Sequence, residues 1–183
     1  MQETRQTRTN RPYELCEYTE EWSLRFHELR DFLENIFGSN AVSIEHVGST
    51  SIPGMLAKPI IDVVVVVSDL ESVKHHYEYF ETNGFECKGD FTGQNEEYFT
   101  NTTPEGIRKS NVHVMQENNP HITEALNFRD YMRAELQPMS EYRDIKVKLK
   151  ETYGTEDYNS YDSQKSILME SLKASAKDWA SSR

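Results

Sequence analysis

One stretch of the chain gathers the residue types that handle phosphate. A short alternating segment, Val42 to Val47, runs into Gly48, Ser49, Thr50, Ser51, Ile52, Pro53 and Gly54. Gly48 lets a ligand approach the backbone closely, and exposed amides beside the hydroxyls of Ser49, Thr50 and Ser51 suit phosphate oxygens. Downstream, Ile60 to Val67 is apolar except for Asp62. A carboxylate among valines is costly unless it is paired, hydrogen-bonded or bound to a metal. Strand alternation puts Ile60, Asp62 and Val64 on one face. Two roles fit Asp62: a magnesium ligand facing a triphosphate, or a structural acid that caps the loop amides or pairs with Lys58.

Further polar residues stand where they can join it. Glu45 and His46 precede the turn, and alternation sends one to the core and the other out. Glu96 and Glu97 open a strand candidate that can run beside Asp62. His113 alternates with Val112 and Val114, as a site-lining or a satisfied core histidine would. The cations Lys58, Arg129, Lys146 and Lys165 suit phosphates or carboxylates. They serve either as an anionic-substrate pocket or as surface partners of Asp130, Glu141 and Glu170.

These residues need a scaffold. Trp22, Phe26, Leu29, Leu33 and Ile36 recur at helical spacing and predict a helix over about 20–37, with Thr19 as cap and Gly38 as stop. Strands are expected at 42–47 and 60–67, the second buried on both faces. Ser68 with Glu71 predicts a capping box for a helix reaching Asn83. Short strands follow at 85–88, 97–101 and 111–115. Pro120 opens one helix, Pro138 a second ending at Gly154, and Asp162 caps a third. The order implies an α+β domain with a helical C-terminal lobe.

The 183 residues favour one domain at 13–183, preceded by a disordered tail over 1–12. With 36% hydrophobic residues the chain can build one core, and 28% charged residues mark neither disorder nor a coiled coil. A formal charge of −11 argues against a nucleic-acid coat. No apolar run approaches the ~20 residues of a membrane span, and the first residues lack the apolar core of a secretory signal. Cys16 and Cys87 fit neither a disulfide framework nor a zinc site. The expected setting is the cytoplasm.

The segment EHVGSTSIPGMLAKPIIDV, residues 45–63, resembles the hallmark of the GrpB (UPF0157) family. Asn111 with His113, the block from Asn127 to Arg133 with Tyr142 and Lys146 downstream, and Tyr161 with Lys165 match it in the same order. Gly48-Ser49 followed by Asp62 is similar to the signature of DNA polymerase β-like nucleotidyltransferases. The resemblance implies that fold: a mixed sheet flanked by helices. It implies a nucleoside triphosphate as substrate, with Mg2+ on Asp62 and Glu45. Asp62, His113 and Glu97 are the catalytic candidates. Gly48, Ser49, Thr50, Ser51, Lys58, Arg129, Lys146 and Lys165 are the phosphate- and substrate-binding ones. The superfamily carries a second acid two residues after the first, where this chain has Val64. The expected activity is nucleotidyl transfer to a small acceptor. The alternatives are triphosphate-dependent ligation of a carboxylate or amine, and nucleotide binding without chemistry.

Overall fold

The computed structural model describes residues 14–154 and 157–183, so the expected N-terminal tail lies outside the described residues. Helix α1 (Glu21–Phe37) leads into strand β1 (Ala41–Val47), and a single turn of 3-10 helix, Ser49–Ser51, follows Gly48. Strand β2 (Ile61–Val67) comes next, then helix α2 (Tyr77–Thr82) and strands β3 (Phe85–Cys87), β4 (Glu96–Thr102) and β5 (Arg108–Gln116). Helices α3 (Pro120–Ala134), α4 (Leu136–Tyr153) and α5 (Tyr158–Ser181) complete the chain.

The five strands form one mixed sheet in the order β1-β2-β5-β4-β3. The pairing of β2 with β5 is parallel and the other three are antiparallel. Strand β2 therefore sits inside the sheet with both faces covered, which is why it reads as an apolar run interrupted only by Asp62. Ile61, Val63, Val65 and Val67 pack with Trp22, Phe26, Leu33 and Phe37 of α1 and with Phe80 and Phe99. Phe80 stacks on Phe99 at 4.1 Å between ring centroids. Val64 and Val66 face the other way, against Val47, Met115 and Ile122 of α3.

The helical lobe closes over this second face. Ile52 and Met55 of the loop between β1 and β2 are buried with Phe128, Met132, Tyr142, Leu172 and Ala176. Leu56 is buried with Leu15 and Tyr161. Tyr142 and Tyr161, each 1% exposed, are thus packing residues. The loop is wedged between sheet and lobe.

Three local expectations change. The helix expected up to Asn83 is split: 71–76 is 3-10 helix and only 77–82 is α-helical. Its capping box does not form, because Ser68 Oγ donates to Asn40 Oδ1, and Asp69 Oδ1 instead accepts the Glu71 amide. The last helix starts before Asp162, capped by Asp157, whose carboxylate accepts the Ser160 amide. No helix among the described residues is long and apolar enough to cross a membrane.

Candidate functional site

Strand register decides which polar side chains meet. Asp62 pairs with Val47 and Asn111, and Asn111 pairs with Thr100. The next row along the same face is Glu45, Val64, His113 and Tyr98. These residues share the face beneath the helical lobe.

Asp62 points at the turn. A Cβ added to Gly48 would lie 2.4 Å from Asp62 Oδ2. Gly48 also has φ +70 and ψ −173, a conformation essentially confined to glycine. The missing side chain therefore serves two ends: the turn's backbone shape and the seat of the carboxylate. The other oxygen, Asp62 Oδ1, accepts a 2.7 Å hydrogen bond from Asn111 Nδ2. The Asn111 side-chain oxygen Oδ1 in turn accepts from the Tyr98 hydroxyl at 2.9 Å and from Arg108 Nη1 at 3.0 Å. Asp62 is half-buried, so its cost in the sheet is offset by Asn111 while Oδ2 remains directed at the turn.

The turn's own hydroxyls divide. Thr50 Oγ1 donates to the Ile60 carbonyl at 3.2 Å and accepts from His46 Nε2 at 3.0 Å. Ser51 Oγ donates to the Gly48 carbonyl at 2.7 Å. Both residues are buried, so their hydroxyls shape the turn and do not face a phosphate, contrary to expectation. Ser49 is different: its Oγ accepts from Lys146 Nζ at 2.7 Å, and it is not fully buried. Lys146 also donates to the Leu56 carbonyl at 2.7 Å and lies 4.3 Å from the centroid of the Tyr142 ring. At 1% exposure it is a strut inside the lobe rather than an open phosphate hook. Burial holds its ammonium well below the ordinary lysine range; the charges of Lys165 and Lys58 add to this and Asp62 opposes it.

Four cations from three helices fasten the loop by its carbonyls. Arg133 of α3 donates from Nη2 to Ser51 O at 2.8 Å, and Arg143 of α4 from Nη1 to Gly54 O at 3.0 Å. Lys146 holds Leu56 O, and Arg25 of α1 reaches Pro59 O at 3.2 Å. Apart from Ala57, which pairs with Cys16 in a short β-bridge, the loop has no strand partner among the described residues and must satisfy its carbonyls some other way. Arg25 and Arg143 carry no local signal of this role, because it depends on where their helices dock.

Two acidic candidates are corrected. Glu97 pairs with Val114, so it projects to the α1 face, where it accepts the Tyr77 hydroxyl and lies 3.7 Å from Lys74 Nζ. It is on the opposite side of the sheet from Asp62. Glu45 is on the right face, but its Oε2 accepts from Arg129 Nη1 at 2.7 Å. The ion pair ties β1 to α3 and answers for both charges, with Asp130 bound to Arg129 Nε at 2.8 Å. Arg129 thus supports the sheet edge instead of joining the lysines. His46, the alternating neighbour of Glu45, stacks on Phe26 at 4.7 Å in the core.

His113 does lie on the Asp62 face. Its Nδ1 is 2.7 Å from Glu96 Oε2, and its ring stacks on Tyr98 at 4.7 Å. Glu96 is 1% exposed, and Thr92 donates to its other oxygen. Of the adjacent acids Glu96 and Glu97, register selects Glu96, which alternation alone cannot do.

Among the described residues no three His, Cys, Asp or Glu side chains gather as a metal cage. Magnesium commonly rests on one or two carboxylates plus substrate phosphates. Asp62 by itself meets that demand for an ion arriving with a polyphosphate, and the donor set fits magnesium only in that form. A cleft of about 450 Å³ opens between residues 93–95 and 116–121, and its lining includes neither Asp62 nor the turn.

A sequence model of the family described as "GrpB protein" matches residues 12–175. The chain belongs to the GrpB family. UPF0157 protein YqkA of Bacillus subtilis is 34% identical over 94% of this chain, which spans 50% of that relative's length. The glutamate-rich protein GrpB of Alkalihalophilus pseudofirmus is 30% identical over 86% of this chain and 92% of its own. Among solved structures, the conserved protein GrpB from Enterococcus faecalis superposes with a TM-score of 0.83 at 31% identity, covering 91% of this chain and 99% of that one. Cid1 in complex with the UTP analogue UMPNPP superposes with a TM-score of 0.51 at 16% identity, covering 75% of this chain and 43% of that one. The GrpB chain thus has the polymerase β-like nucleotidyltransferase fold.

Proposed function

We propose that this GrpB protein binds a nucleoside triphosphate as its magnesium complex and transfers the nucleotidyl group to a small-molecule acceptor. The observation that carries this reading is Asp62 directed at Gly48, at the mouth of a turn that the helical lobe fastens in place. Asp62 would hold the ion and Ser49 would meet a phosphate oxygen. Lys58 and Lys165, whose charges help hold the Lys146 ammonium low, would offset phosphate charge. Magnesium would supply neutralisation of charge on the transferred phosphoryl group. The fold is shared with Cid1, which is known in complex with a UTP analogue, and that supports a nucleotide as the ligand.

A second reading has its own observation. Val64 stands where the superfamily signature has its second acid, and it is 2% exposed in a packed cluster. A protein that binds the nucleotide without chemistry needs no such acid. Calorimetric titration with magnesium–ATP and magnesium–UTP, coupled to mass spectrometry of the products, separates the two. The transferase reading expects magnesium-dependent binding and a nucleotidylated product. Asp62→Asn should retain the thermal transition of the native chain and lose magnesium dependence and turnover. Binding that ignores magnesium, in both native protein and variant, would reject the role given to Asp62.

A further inference from the structure

The pair His113–Glu96 is a histidine oriented by a buried carboxylate. A carboxylate offers only lone pairs, so Glu96 fixes the ring proton on Nδ1 and leaves Nε2 with a free pair. Among the described residues Nε2 has no hydrogen-bond partner, and it is absent from the buried unsatisfied side-chain atoms. In a half-buried residue, that means the far edge of the ring reaches solvent. Tyr98 stacks on the ring and fixes its plane, and Phe91 stacks on Tyr98 at 6.1 Å. Along β5, His113 is one side-chain row beyond Asn111, the partner of Asp62, a separation of about 7 Å along the strand. An acceptor touching His113 would therefore lie beside a phosphate held at Asp62.

We infer that His113 is the general base of the transfer, that Glu96 is its positioning residue, and that the acceptor group is a hydroxyl. The inference rests on the proposed nucleotidyl transfer and narrows it. A carboxylate acceptor arrives already deprotonated and has no use for an oriented base, whereas a hydroxyl must lose its proton as it attacks. In the step, the acceptor oxygen forms a bond to the α-phosphorus while the bond from that phosphorus to the bridging oxygen breaks. Pyrophosphate leaves with the electron pair. The hydroxyl proton passes to His113 Nε2, and the resulting imidazolium is paired with Glu96 until it releases the proton to water.

The test uses the full chain with α-labelled magnesium–ATP, and either glycerol or acetate as acceptor, under single-turnover conditions. Native protein should form nucleotidyl-glycerol, or the nucleoside monophosphate by transfer to water, and no acyl nucleotide from acetate. His113→Ala should slow this by about 10²–10⁴-fold, with the nucleotide Kd unchanged, and added imidazole should restore part of the rate. Glu96→Gln should lower the rate at unchanged Kd. Native turnover with an equally fast His113→Ala overturns the base while leaving the transfer reading intact. So does a loss of nucleotide affinity in His113→Ala that matches its loss of rate. An acyl nucleotide from acetate overturns the hydroxyl assignment. Native protein that neither binds nor turns over the nucleotide overturns the transfer reading itself, and the base falls with it.

Discussion

At the scale of the residue, Gly48 is the position with least freedom. Its backbone conformation excludes a side chain, and the space a Cβ would take belongs to the Asp62 carboxylate. Gly48→Ala should lower the free energy of unfolding by about 1–3 kcal/mol, measured by chemical denaturation, and weaken magnesium–nucleotide binding together with it. An alanine variant with native stability and affinity would show that the turn can shift to accept it. Asp62→Asn makes the contrasting case, since an amide of the same shape keeps the packing. It should separate function from stability where Gly48→Ala does not.

At the scale of the element, the loop between β1 and β2 is held mainly by groups brought from the helices. Lys146 is central: it reaches Ser49 and Leu56 together from α4. Lys146→Met keeps most of the apolar length and removes both bonds. Hydrogen exchange should then quicken at the backbone amides of 49–58 and stay native in the core strands. Protection unchanged throughout the loop would mean that Arg133, Arg143 and Arg25 suffice. The β1–α3 contact depends in the same way on the Glu45–Arg129 pair. Arg129→Met strands a partly buried carboxylate and should cost about 1–3 kcal/mol, read from the midpoint of urea unfolding.

At the scale of the whole molecule, His46 links pH to stability. Burial first, then the charges of Arg133 and Arg129, lower its pKa from 6.5 to about 4 in the fold. The unfolded chain takes up the proton near pH 6.5 and the native state only near 4. Stability therefore falls as pH drops through that window and levels off below it, by at most about 3 kcal/mol from this group. Acidic residues also titrate there, so the measurement is a difference. His46→Gln should show a shallower loss of stability than the native chain between pH 6.5 and 4. Parallel curves would place the acid sensitivity elsewhere.

The sequence by itself was enough to locate the turn, the buried strand, the acid within it and the helical lobe, because each rests on local chemistry: glycine's backbone freedom, β-branched packing and apolar periodicity. It also carried the family resemblance, in contiguous motifs. Which polar groups meet was decided only by tertiary structure. Glu96 and Glu97 are neighbours in sequence and lie on opposite faces of the sheet, and only the pairing of β4 with β5 tells which one reaches His113. The hydroxyls of Thr50 and Ser51 are indistinguishable from phosphate binders until the Ile60 and Gly48 carbonyls are found to hold them. Lys146 reads in one dimension as a phosphate-binding or surface-paired cation and becomes a buried strut when α4 docks. Local forces act between residues near in sequence, whereas strand register and helix docking bring together groups that lie far apart along it.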